Sequence, residues 1–139
     1  MTESDISRIE SVLNIKLPEY YCSTMLNYPF ADDSFAAEFL LPNDPEQILE
    51  YNQDSYEYPG VGKLFVIGGD GGEDSYFIDL ADNSSQVFTF DMESDTHTST
   101  AANWSEYIEW IEKALKEIEE DEKAEQERKA NKKWWEFWK

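Results

Sequence analysis

The sequence predicts an α+β fold: a mostly antiparallel sheet flanked by N-terminal helices and a long C-terminal helix. Three observations lead there. Apolar residues keep helical spacing near both ends, over 5–16 and from Trp104 to Ile118. Between them, three short apolar runs follow one another, joined by links of hairpin length and chemistry, GGDGGED and ADNSS. Finally, 139 residues at 40% apolar and 15% aromatic are enough for one core and too rich for a disordered chain.

The elements follow in order. Ile6, Ile9, Val12 and Leu13 give residues 5–16 one apolar face, and Leu17-Pro18 ends that helix. A second short helix starts at Pro18, carries Tyr21, Met25 and Leu26 inward, and stops before Pro29. Residues 35–41, FAAEFLL, read as a strand. Asn43 or Asp44 then caps a helix with Pro45 at its first position and Gln47 at its third, running to about Asn52. QDSYEYPGVG is a loop.

Leu64–Ile67 reads as a central buried strand, and Ser75–Leu80 and Gln86–Phe90 as two alternating ones. MESDTHTSTA is a polar loop. Asn103 or Ser105 opens the last helix, in which Trp104, Tyr107, Ile108, Ile111, Ala114, Leu115 and Ile118 hold their spacing. Beyond Ile118 the apolar pattern stops while acid-first i,i+4 pairs such as Glu119/Lys123 and Glu125/Lys129 continue the helix. The chain therefore divides into a domain over 1–118 and a polar helical extension over 119–139 with an aromatic end.

Charge excludes several functions. The net is -20, and residues 1–100 hold 20 acids against three bases, Arg8, Lys16 and Lys63. The acidity thus belongs to the folded body, which repels nucleic acid and anionic lipid and suits cationic partners. No apolar run is long enough to span a membrane. The opening MTESDISRIESV is unlike a signal or transit peptide. A single cysteine, Cys22, rules out a disulfide framework and fits a reducing cytoplasm.

Candidate chemistry is sparse. GGDGGED has no Lys-Ser/Thr and no helix after it, and its acids repel phosphate, so it is not a phosphate loop. Asp70, Glu73, Asp74 and Asp79 offer oxygen ligands for calcium but not the twelve-residue loop that an EF-hand uses. The segment reads as a hairpin turn with exposed acids or as an acidic loop that touches a partner. The lone His97, beside Asp95 and Ser99, lacks convergent partners from separate segments, so no enzyme, cofactor or metal is expected. Cys22 is a small, buried hydrophobe.

Asp91, Glu93 and Asp95 alternate near the GGDGGED turn, either matching a basic target or standing as solvated loop ends. Tyr51, Tyr56 and Tyr58 serve either an interface or packing over the sheet. Trp134, Trp135, Phe137 and Trp138 form an aromatic cluster at the end of a helix that from Trp104 to Trp138 spans about 52 Å at 1.5 Å per residue. It folds back, binds a partner, or docks on a second copy, the last favoured because exposed aromatic clusters seldom stay free.

Residues 5–118 resemble the SUKH superfamily. The likeness lies in the first helix leading into Leu17-Pro18-Glu19-Tyr20-Tyr21, in LLPNDPEQILEYN over 40–52, in FVIGGDGGEDSYFIDLADNSSQVFTFDMES over 65–94, and in the aromatic Trp104 opening the last helix. The chain departs from the family at Asn27-Tyr28-Pro29, where Asn-Gly is usual, and in 119–139, which has no counterpart. The resemblance implies function by binding, either as a bacterial immunity protein that neutralises a toxin or as a non-enzymatic regulatory adaptor. The expectation is a cytoplasmic immunity protein covering the cationic active site of a toxin domain, a nuclease by charge, with a homodimer also expected. The contact residues would be Asp70, Glu73, Asp74, Asp91, Glu93, Asp95, Tyr56 and Tyr58, and self-association would use the four tail aromatics.

Overall fold

Thr2 opens helix α1 (Glu3–Leu13) with a capping box. Its hydroxyl accepts from the Asp5 N–H at 3.2 Å, and the Asp5 carboxylate accepts from the Thr2 N–H at 2.9 Å. Hydrogen bonds to the carboxylate from the Thr2 N–H, and then from the Thr2 side chain, hold the Asp5 carboxyl below the ordinary carboxylate range. Asn14, in the left-handed region at φ 54°, ends the helix before Leu17-Pro18 is reached. The buried stripe is Ile6 and Ile9, with Leu13 packed against it, while Val12 turns out to solvent at 59% exposure. Pro18 then leads into α2 (Glu19–Leu26), which buries Tyr21 and Met25.

A computed structural model of the chain describes residues 1–52, 64–72, 74–81, 85–91 and 96–137, with Asp91, Thr96, His97 and residues 128–137 described through their backbone only. Residues expected to form a strand at 35–41 instead make a single π-helical turn, Ala36–Leu40. Ala36, Ala37, Leu40 and Leu41 are buried, a helical rather than an alternating set. Its backbone carbonyls are held from a distance. Tyr107 Oη donates to Leu40 O at 2.6 Å, Tyr28 Oη to Leu41 O at 2.6 Å and Gln47 Nε2 to Glu38 O at 2.9 Å. Helix α3 (Pro45–Tyr51) follows, capped by Asp44 as expected.

Four strands, β1 (Leu64–Gly69), β2 (Asp74–Asp79), β3 (Val87–Asp91) and β4 (Thr96–Ala101), form an antiparallel meander in chain order. The last lies where a polar loop was expected, so His97 sits in an edge strand opposite Phe90. Thr89 and Thr100 share a hydroxyl hydrogen bond between β3 and β4, and Gln86 Nε2 donates to Ser99 Oγ at 2.7 Å. At the other edge, the Asn52 amide does the work of a neighbouring strand. Its Oδ1 accepts from Val66 N at 2.8 Å and its Nδ2 donates to Val66 O at 3.0 Å, which occupies backbone groups that would otherwise recruit another strand.

Helix α4 (Trp104–Phe137) is opened by Asn103, whose Oδ1 accepts from Glu106 N at 3.0 Å. One face of the sheet, with Phe65, Ile67, Tyr76, Ile78 and Val87, packs on Trp104, Tyr107 and Ile111 of α4 and on residues of α1 and α2. Aromatic rings join the layers. Tyr21 meets Phe65 and Trp104 edge-on, Tyr76 meets Tyr107 and Trp110, and Trp104 Nε1 donates to Thr24 Oγ1 at 2.8 Å. The second face is apolar too: Val66, Phe77 and Phe90 are buried, and Phe77 stacks on Phe88 at 5.3 Å. Beyond Ile118, every residue from 119 to 127 is exposed.

Candidate protein-binding site

The acidic end of the sheet is built on glycine. At Gly68 a Cβ would lie 2.3 Å from Leu40 O, so only glycine lets β1 pass this close to the π-turn. At Gly71, φ is +82°, and the ring of Phe39 lies across the space a side chain there would take. The chain can therefore turn tightly between β1 and β2. Asp70 fastens the turn, its Oδ1 accepting from Gly72 N at 2.8 Å and from Asp74 N at 3.3 Å.

Pairing register brings the second acidic segment to the same place. Asp74 stands opposite Asp91, and Asp91 opposite Thr96, so the β1–β2 turn and the β3–β4 connection leave the same end of the sheet. Two acidic residues thus occupy paired backbone positions at this end of the sheet. Beneath them, Tyr76 is buried. Burial first, then the charges of Asp70 and Asp74, push its phenol up to about 12.

Of the contact residues expected from the sequence, Asp70, Asp74 and Asp91 are brought to this end together. Glu73, Glu93, Asp95, Tyr56 and Tyr58 lie outside the described residues, as does Trp138, while Trp134, Trp135 and Phe137 are placed only as part of α4. Tyr51 accepts a hydrogen bond from Gln47 Nε2 at 2.9 Å. Cys22 is half-buried, its thiol pushed up by burial, with Sγ 3.8 Å from Leu17 O. Among the described residues, no three His, Cys, Asp or Glu side chains converge as metal ligands, and no helix is long and apolar enough to cross a membrane.

A second feature lies beside the first. A groove of about 1030 Å³ runs between residues 31–38 and α4. Phe35, Leu115 and Ile118 supply apolar lining, and Asp33 and Glu38 face four glutamates of α4. Phe35 also touches Phe39, the residue that covers Gly71, so groove and acidic turn are neighbours. The signal was present in the unbroken run FAAEFLL, since two of its aromatics remain half-buried once the run coils into a π-turn.

A four-stranded antiparallel meander covered on one face by helices, with an acidic turn at one end, defines an α+β domain whose distinctive surface is its charge. Residues 1–110 match the family model described as the SMI1 / KNR4 family (SUKH-1), and the chain belongs to that family. This agrees with the resemblance drawn from the sequence. No curated protein and no solved structure gave a match.

Proposed function

We propose that this chain is an immunity protein that neutralises a cognate toxin in the cytoplasm by binding, without catalysis of its own. The acidic end carrying Asp70, Asp74 and Asp91 covers the toxin's cationic active site. The observation that carries the proposal is the register of Asp74 with Asp91 beside Asp70 of the β1–β2 turn, in a family member whose first 100 residues hold only three bases. A nucleic-acid cleft is basic, which makes a nuclease the natural target, and carboxylates in that cleft stand where phosphates would.

The test is co-expression with a toxin domain encoded beside this gene. Growth should be rescued by the wild-type chain and by His97→Ala, because no proton transfer is needed. Rescue should weaken when Asp70, Asp74 and Asp91 are all changed to Asn. Unchecked toxicity with the wild-type chain would refute the proposal. The exposed helix beyond Ile118 favours a second reading, a regulatory adaptor that docks cytosolic partners through its arm. Under that reading, the arm variants lose the partner and the acidic variants keep it.

A further inference from the structure

The groove between residues 31–38 and α4 has a counterpart in the same sequence. Six carboxylates and two lysines line it, giving a net of -4 around Phe35, Leu115 and Ile118. Residues 128–139, RKANKKWWEFWK, carry five bases and one acid, a net of +4, together with three tryptophans and a phenylalanine. Charge and apolar character are therefore complementary, in a molecule whose net charge is otherwise strongly negative.

A segment cannot reach its own groove along a continuous helix. The α4 part of the groove ends at Glu122, and the first aromatic comes twelve residues later, about 18 Å farther along the axis at 1.5 Å per residue. We infer that the groove receives residues 128–139 of a second copy, in a reciprocal exchange about a two-fold axis. Placing Trp135 level with Leu115 of the partner sets that axis near residue 125. The small Ala124 lies beside it, where the two helices must approach most closely. In that antiparallel register, Arg128 comes level with Glu122 of the other copy, which lines the groove. Glu136 falls beside Lys113.

Size supports the pairing. Aromatic side chains can bury at most about 150–250 Å² each, so four offer up to about 600–1,000 Å² per arm. Two arms then meet the ~1,200 Å² at which stable interfaces begin. A symmetric exchange also closes the assembly at two copies. This inference stands independently of toxin binding, since its readout is the mass of the purified chain alone.

Light scattering across a concentration series provides the test. The full chain should approach twice 16.2 kDa. A groove variant, Glu112→Lys with Glu119→Lys, and an arm variant, Trp134→Ser with Trp135→Ser, should each weaken self-association at least tenfold. Glu112 and Glu119 are exposed, so that pair leaves the fold intact, which circular dichroism checks. Mixing the two variants should restore a dimer containing one of each, because one intact arm then meets one intact groove. A chain monomeric at every concentration would overturn the inference. So would a dimer indifferent to the groove variant, or a mixture that stays monomeric.

Discussion

Two buried tyrosines make opposite contributions. The Tyr107 hydroxyl donates to Leu40 O across 67 residues of chain, at 2.6 Å and out of contact with water. Tyr107→Phe leaves that carbonyl without its donor and should cost about 1–3 kcal/mol in urea unfolding. The Tyr21 side chain is equally buried, but its hydroxyl has no hydrogen-bond partner among the described residues. Tyr21→Phe removes a desolvated polar group and should be neutral or stabilising by up to about 1 kcal/mol. A large loss at Tyr21 would contradict the assignment. Burial raises the phenols of Tyr21, Tyr28 and Tyr107 above the ordinary tyrosine range, and brings Tyr76 up to about 12. Unfolded tyrosines ionise near 10, so above that pH the folded state binds more protons than the unfolded state. The stabilisation is complete below about pH 10 and is lost as pH climbs toward the folded values. Urea midpoints should therefore be insensitive to these groups up to about pH 9.5 and fall above it, with tyrosinate absorbance rising together with unfolding.

At the scale of elements, the π-turn is the point on which the fold depends. Gly68 lets β1 run against it, and a Cβ there would meet the Leu40 carbonyl, a backbone atom with little freedom to retreat. Gly68→Ala should cost at least about 1–3 kcal/mol, the range for overpacked sites, and should weaken the Tyr107–Leu40 hydrogen bond with it. A Gly68→Ala protein as stable as wild type would show that the turn and strand are not tightly apposed. This turn was also the element least legible in the sequence. FAAEFLL is a continuous apolar run whose periodicity cannot separate strand from buried helix, and its deciding partners, Tyr107, Tyr28 and Gln47, are remote. By contrast, the capped starts at Asp44 and Asn103 and the hairpin chemistry of GGDGGED are local, and those elements stand where the sequence put them, except that β1, expected as a central strand, lies at the edge of the sheet. Strand β4 escaped notice because Thr96–Thr100 is wholly polar, as an edge strand can be when its hydroxyls pair across to β3. The acidic end was legible as composition, but the pairing of Asp74 with Asp91 is a matter of register, which the spacing alone did not give.

For the whole molecule, the net charge of -20 sets how partners are met. Long-range attraction raises encounter rates and is shortened by salt, whereas contacts formed after docking mainly govern dissociation. The acidic end of the sheet should therefore act chiefly on association. Asp70→Asn isolates charge from structure at one position, because an amide oxygen can still accept from Gly72 N and Asp74 N and hold the turn. The most direct test is the association rate with a catalytically inactivated toxin domain, measured by stopped flow from about 50 to about 500 mM salt, where the Debye length falls from above 10 Å to below 8 Å. The prediction is a fall of at least tenfold for the wild-type chain, and a slower, flatter profile when Asp70, Asp74 and Asp91 are all Asn. An association rate indifferent to salt, or unchanged in the triple variant, would contradict recognition through this acidic end.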